Sequence, residues 1–216
     1  MLFRSDGMVQ PEAVVAVTDT RHDVIACGPG LGRSDGARAF VEALLERATV
    51  PLVLDADALW VLGSESTTLV GRDDRPVVIT PHPGEMARLL GTSAELVQQD
   101  RLKAALDFAV SHHVFVVLKG HRTVIVTPAG EIAINPTGNP GLATGGTGDV
   151  LTGVLSAWIA QLLDVEAACR LAVFLHGAAG DHAERKRGQL AMTAGDVVDA
   201  LSDAVAWLLD PGGDER

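Results

Sequence analysis

The feature that most constrains this chain is a set of short, wholly apolar runs, each stopped by glycine, proline, aspartate or lysine. Val24-Ile25-Ala26-Cys27 runs into Gly28-Pro29-Gly30, Leu52-Val53-Leu54 into Asp55-Ala56-Asp57, and Val77-Val78-Ile79 into Thr80-Pro81. The run 114–118 ends in Lys119-Gly120. None alternates polar with apolar residues, so each reads as a strand buried on both faces, as in a parallel sheet. Between them, residues 36–47 carry apolar side chains at helical spacing (Phe40, Val41, Leu44, Leu45). A helix is predicted from about 83 to 90, and a single longer one over 93–112. Residues 123–127 and 132–134 read as a hairpin around Pro128-Ala129-Gly130. The last third reads as helices over 147–161, 164–185 and 195–209, the final one opened by the capping-box pattern Thr193-x-x-Asp196. This alternation predicts an α/β architecture with a mostly parallel central sheet covered on both faces.

Composition narrows the functions such a sheet can serve. At 216 residues and 47% hydrophobic, the chain buries far too much apolar surface to be disordered. One domain over 1–210 is expected, with 211–216 as a disordered tail. Seventeen cations against 28 anions leave a net charge of −11, which repels nucleic acid and anionic lipid alike. A phosphate-bearing ligand must therefore be gripped by local backbone donors and a few cations. Cys27 and Cys169 lie far apart inside apolar runs, the pattern of buried, reduced thiols. The N-terminus shows no signal peptide. The uncharged, largely apolar stretch 150–163 is 14 residues, short of the roughly 18–20 that span a bilayer. The expectation is a soluble, cytoplasmic protein without membrane or nucleic-acid partners.

The strongest chemical signal is the irregular run Asn135-Pro-Thr-Gly-Asn-Pro-Gly-Leu-Ala-Thr-Gly-Gly-Thr-Gly-Asp149, followed at once by a helix. Glycines Gly146 and Gly148 let the backbone approach a ligand closely. The N–H groups of Thr147, Gly148 and Asp149 fall at the helix N-terminus, where donors and dipole together suit a phosphoryl group. No Lys-Ser/Thr follows the glycines, so this is not a Walker A loop. Asp149 stands where a general base meets a hydroxyl that attacks phosphorus, with a helix cap as its structural alternative.

Three weaker signals lie at other predicted strand ends. In Gly28-Pro-Gly-Leu-Gly32 the next position is Arg33, so the dinucleotide fingerprint fails; the run reads as a ligand-site wall or a tight turn. Thr80-Pro-His-Pro-Gly-Glu85 offers His82 for substrate contact and Glu85 for the water around Mg²⁺, although alone Glu85 is an ordinary first-turn acid. Lys119-Gly-His-Arg-Thr123 reads equally as a phosphate grip and as a β-turn with exposed charge. His112 and His113 read as structural, and His176 and His182 are not at metal-ligand spacing. Trp60, Trp158 and Trp207 read as core or interface residues.

Taken in this order, the motifs resemble the NAD(P)H-hydrate dehydratase family of the ribokinase-like superfamily. The residues that carry the resemblance are Gly28-Pro-Gly-Leu-Gly32, Leu54-Asp-Ala-Asp-Ala58, Ile79-Thr-Pro-His-Pro-Gly-Glu85, Leu118-Lys-Gly120 and Asn139-Pro-Gly-Leu-Ala-Thr-Gly-Gly-Thr-Gly-Asp149. The resemblance implies a three-layer α/β/α ribokinase-like fold. It also implies ADP-dependent dehydration of (S)-NAD(P)H hydrate (ATP-dependent in eukaryotic relatives), with AMP and phosphate released. Carried over, Asp149 is the catalytic base, and Gly146, Thr147 and Gly148 form the anion hole. Gly30, Gly32, His82 and Asp149 line the substrate site. Lys119, Gly120, His121, Arg122 and Thr123, with Gly148, bind the nucleotide. Mg²⁺ has Glu85, and in second place Asp57, in its outer shell. The resemblance further implies a homo-oligomer. Family domains start with a further strand and an alanine-rich helix upstream. Only 27 residues precede Gly28 here, so an N-terminally short domain is expected. A small-molecule kinase of the pyrimidine or thiazole type and a non-catalytic nucleotide-binding homologue are the alternative readings.

Overall fold

The computed structural model describes residues 9–64, 68–162 and 164–210. The chain divides into two compact units, Met1–Gly120 with Val124–Ala133 and His121–Thr123 with Ile134–Arg216. The segment 211–216, expected to be a disordered tail, lies outside the described residues.

The first unit is built on the sheet. Its strands are β1 (Ile25–Cys27), β2 (Leu52–Leu54), β3 (Val77–Ile79), β4 (Phe115–Leu118), β5 (Val124–Val126) and β6 (Ile132–Ile134, whose last residue falls in the second unit). They lie in simple sequential order. β1 to β4 are parallel, in register Ile25–Leu52, Leu52–Val77 and Val78–Phe115, and β5 returns antiparallel with Ile125 opposite Val117. Helices α1 (Ala13–Thr18), α2 (Asp35–Arg47), α3 (Asp57–Leu62), α4 (Pro83–Leu90), α5 (Ala94–Gln99) and α6 (Arg101–His112) complete the unit. Right-handed crossovers between neighbours taken in order place α2, α3 and α4–α6 on one face. The core shows that face: Leu52, Leu54, Val77, Ile79, Val116 and Leu118 pack with Val41 and Leu44 of α2, Leu59 and Leu62 of α3, Met86 of α4 and Phe108 of α6. Val53, Val78, Val117 and Ile125, which alternate with them, are buried as well. Burial on both faces is why these strands carry no polar alternation.

The second unit is helical, with α7 (Thr147–Leu162), α8 (Val165–Arg187), α9 (Ala194–Asp199), α10 (Leu201–Leu209) and a 3₁₀ turn over Pro140–Ala143. Its core joins Leu175, Ala178, Ala179 and Ala183 of α8 to Met192, Val197, Ala200 and Ala204. No helix among the described residues is long and apolar enough to cross a membrane. Cys27 and Cys169 are free, buried thiols. Burial pushes the Cys27 thiol up to about 12 and raises that of Cys169 as well.

Two predicted helices are each interrupted. The helix expected over 93–112 breaks at Asp100, whose backbone leaves helical geometry while its side chain accepts the Lys103 N–H and opens α6. A short carboxylate competes with the helix for backbone donors, and here it wins. The helix expected over 195–209 divides at Ala200 into α9 and α10, and the Thr193–Asp196 capping box is present. α1 and α3, six residues each, are too short to show periodicity in the sequence.

The turn after β1 is fixed by a close approach. Gly28 has φ +136, and a Cβ built there would fall 1.7 Å from the carbonyl oxygen of Asp55 at the end of β2. Gly28→Ala is therefore expected to destabilise the protein by about 2–4 kcal/mol. Urea unfolding would measure this, and an unchanged midpoint would refute the packing of these two turns.

Candidate active site

Because β1 to β4 run parallel, their carboxyl ends and the turns that follow share one edge of the sheet, where open α/β sheets bind ligands. Asp57, the first residue of α3, holds the glycine turn. Its Oδ2 accepts the Gly32 N–H at 3.0 Å and its Oδ1 the Arg33 Nε–H at 2.7 Å. Arg33 and Arg88 both stack on Trp60, at 5.0 and 4.0 Å from the ring centroid. Asp57, carried over as a second outer-shell acid, is thus engaged in shaping the turn.

The His82–Glu85 segment opens α4 as a reciprocal cap. The Nδ1 of His82 accepts the Gly84 and Glu85 N–H groups at 3.0 and 3.3 Å, and Glu85 Oε2 accepts the His82 N–H at 2.8 Å. Pro83 at the first helical position needs no acceptor. Lys119, which follows β4, donates its backbone N–H to Pro81 O at 2.8 Å. Its ammonium lies 2.7 Å from Oδ1 of Asp55 and 3.8 Å from Oε2 of Glu85. Asp55 is 1% exposed. The cation that the sequence offers to a phosphate is therefore held by two carboxylates, an arrangement the sequence did not reveal. Asp55 and Lys119 stand 64 residues apart, and only the parallel pairing of the intervening strands joins them.

In the second unit the glycine-rich run is tied to α8. Asp181 accepts the Gly138 N–H at 2.9 Å and the Asn139 side-chain amide at 3.1 Å, while Asn139 caps the 3₁₀ turn by accepting the Gly141 N–H at 2.9 Å. The Thr137 hydroxyl donates to Phe174 O at 2.9 Å, beside Gly177, where a Cβ would meet that hydroxyl oxygen at 2.2 Å. His176, 8% exposed, donates from Nε2 to Thr147 O at 2.9 Å. The Thr147 hydroxyl donates towards Leu142 O and Thr144 O at 2.6 and 3.0 Å. Every one of these bonds holds the approach to α7, yet Asp181 carried no signal in the sequence and His176 none beyond its spacing from His182.

The first bond of α7 runs from the Val150 N–H to Gly146 O at 3.1 Å. Helix geometry thus leaves the Thr147, Gly148 and Asp149 N–H groups without intrahelical acceptors. Gly145, Gly146 and Asp149 are exposed, and Gly148 is half-buried. The Asp149 carboxylate makes no hydrogen bond or ion pair among the described residues. Backbone donors and an exposed carboxylate thus share the first turn of α7. The boundary between the units falls inside the predicted nucleotide grip: Lys119 and Gly120 belong to the first, His121, Arg122 and Thr123 to the second. Arg122 is exposed with φ +54, and Thr123 O accepts the Asn135 N–H at 2.9 Å.

No three His, Cys, Asp or Glu side chains gather as a metal site among the described residues. Glu85, 13% exposed and already accepting the His82 N–H, suits an outer-shell carboxylate.

Strand order, glycine-flanked helix start and acidic first turn define a ribokinase-like α/β protein. The profile of the NAD(P)H-hydrate dehydratase family matches residues 5–203, and the chain belongs to that family. It is 53% identical over 179 residues to the bifunctional NAD(P)H-hydrate repair enzyme Nnr of Moorella thermoacetica, covering 83% of this chain and 34% of that protein. It is 42% identical over 187 residues to the ADP-dependent (S)-NAD(P)H-hydrate dehydratase of Neisseria meningitidis, covering 86% and 62%. Among solved structures, the ADP/ATP-dependent NAD(P)H-hydrate dehydratase of Bacillus subtilis co-crystallized with ATP/Mg²⁺ superposes with a TM-score of 0.77 at 32% identity, over 90% of this chain and 69% of that one. The phosphofructokinase-2 of Escherichia coli, 19% identical with a TM-score of 0.59 over 94% and 63%, shares the fold. The chain spans about a third of the length of the bifunctional relatives it matches.

The anchoring of the glycine run to α8 is testable. Asp181→Ala leaves two donors without their carboxylate, and charged hydrogen bonds contribute about 1.5–3 kcal/mol. Amide exchange at 138–146 is expected to accelerate while the strand amides of β2 and β3 keep their protection. Unchanged exchange across the run would refute this anchoring.

Proposed function

We propose that this chain carries ADP-dependent dehydratase activity toward (S)-NAD(P)H hydrate, returning NAD(P)H together with AMP and phosphate. The observation that carries the reading is the exposed carboxylate of Asp149 on the first turn of α7, directly after Gly145-Gly146-Thr147-Gly148, in a chain of this family. In this reading the C6 hydroxyl of the hydrated ring attacks the terminal phosphorus of ADP while Asp149 removes its proton. The N–H groups at Gly146, Thr147 and Gly148 stabilise the charge on the moving phosphoryl group. AMP leaves. Phosphate then departs from C6 as a proton leaves C5, which restores the ring double bond. The oxygen removed from the ring ends in the phosphate, so the atoms balance.

The remaining roles follow the same reading. Gly30, Gly32 and His82 receive the hydrated nicotinamide. Gly120, His121, Arg122 and Thr123, with Gly148, receive the AMP portion; Lys119 belongs to the same segment, with its ammonium on Asp55 and Glu85. Glu85 would serve as an outer-shell carboxylate for a magnesium ion bound with the nucleotide, and that ion would supply charge neutralisation.

Absorbance at 340 nm with hydrated NADH, Mg²⁺ and ADP or ATP tests the reading. A nucleotide-dependent rise is expected with ADP. A stable phosphorylated product without NADH would assign a small-molecule kinase instead, and ADP binding without turnover a non-catalytic nucleotide binder. Asp149→Asn is expected to lower turnover at least about 10²-fold, as loss of a general base does. Undiminished turnover would remove Asp149 from that role.

A further inference from the structure

We infer that Asp55 is a positioning residue for the substrate end of the proposed site: through Lys119 and Glu85 it holds His82 as a fixed Nε2–H donor. The inference deepens the function proposed above and rests on it. All four residues lie in the first unit.

The contacts run from a buried anchor to an exposed tip. Asp55 is 1% exposed and takes the Lys119 ammonium at 2.7 Å. That ammonium, 20% exposed, lies 3.8 Å from Oε2 of Glu85. Oε2 of Glu85 accepts the His82 N–H at 2.8 Å, and its Oε1 stands 3.5 Å from His82 Nε2. The imidazole itself is 56% exposed. Its Nδ1 accepts two backbone N–H groups, so in the neutral ring the proton sits on Nε2. A histidine on an open surface samples two tautomers and several rotamers; this one is pinned at Nδ1 by the cap and at its backbone by Glu85.

Glu85 could swing to solvent were it not for the Lys119 charge. Lys119, on a flexible four-carbon stem, would follow solvent or a phosphate were it not for Asp55. The chemistry at the exposed tip is an Nε2–H hydrogen-bond donor, suited to a carbonyl or hydroxyl oxygen of the substrate. It follows that the Lys119 ammonium serves the substrate end, although the sequence groups Lys119 with the nucleotide.

The test uses the full chain with ¹⁵N-labelled histidine, in the wild type, in Asp55→Asn, and in the double variant Asp55→Asn/Lys119→Met, which strands no buried ammonium. The wild type is expected to show His82 as a single tautomer, Nδ1 bare and Nε2 protonated. Both variants are expected to show tautomer exchange at His82. They are also expected to raise KM for hydrated NADH by roughly tenfold, the loss of one well-placed hydrogen bond, with KM for ADP within about twofold. Should the Asp55 variants fail to fold, Glu85→Gln decides by the His82 tautomer alone.

A mixed or Nδ1-protonated His82 in the wild type would overturn the inference. So would variants that keep the wild-type spectrum, or that raise KM for ADP instead. If the wild type turns over no hydrated NADH, the proposed function fails while the histidine spectra still decide whether Asp55 positions His82.

Discussion

A parallel strand pair cannot be closed by a hairpin, and that constraint organises the first unit. Each crossover must climb back over the sheet, so every carboxyl end of β1 to β4 emerges at the same edge. Gly28, Asp55, Thr80 and Lys119 are neighbours for this reason alone. The tight contact of Gly28 with the Asp55 carbonyl, the buried Asp55 carboxylate and the bond from Lys119 N–H to Pro81 O are three consequences of it. Had one strand been reversed, the same residues would stand at opposite edges.

Burying Asp55 and Lys119 has a cost that the geometry must offset. Withdrawing a carboxylate and an ammonium from water is expensive, and their attraction repays it only with close contact and further hydrogen bonds. At 2.7 Å the contact is close, and 20% exposure of Lys119 leaves part of its hydration in place. An apolar pair of equal volume would often be as stable. What an apolar pair could not do is present a charge to Glu85, so the ion pair is better understood as a device for orientation than for stability. Asp181 and Asn139 play the corresponding part in the second unit, with backbone N–H groups of the glycine run in place of a side chain.

The strands and the glycine run were legible in the sequence because each signal is contiguous. Three to five apolar residues followed by a breaker need no distant partner to be read, and neither does Gly-Gly-Thr-Gly-Asp149. The same holds for the Thr193–Asp196 capping box. What could not be read depends on pairs far apart in the chain or on competition within a few residues. Asp55 looks like strand punctuation until Lys119 is beside it. Asp57 looks like a free acid until the Gly32 N–H turns toward it. Asp100 has the spacing of a residue inside one helix, and becomes a break only because its side chain outbids the helix for the Lys103 N–H. His176 reads only as a helix histidine without a metal-ligand partner until the Thr147 carbonyl is opposite its Nε2.

The net charge of −11 and an anionic ligand are compatible because the two act over different ranges. Surface charges are screened beyond a Debye length of about 8 Å at physiological ionic strength, so the overall balance mainly affects encounter. In the proposed function, affinity for a phosphate at the start of α7 would arise at contact, from N–H groups whose orientation is set by the helix and by the bonds that Asp181, His176 and Thr147 make. Such donors carry no formal charge, keep their direction whether or not a phosphate is present, and do not depend on which lysines the surface bears. A basic patch would attract any polyanion, whereas a cradle of backbone donors accepts only an anion small enough to enter it. In an acidic chain that selectivity would come from the fold itself: the glycines that allow close approach lead directly into the helix that aims the donors.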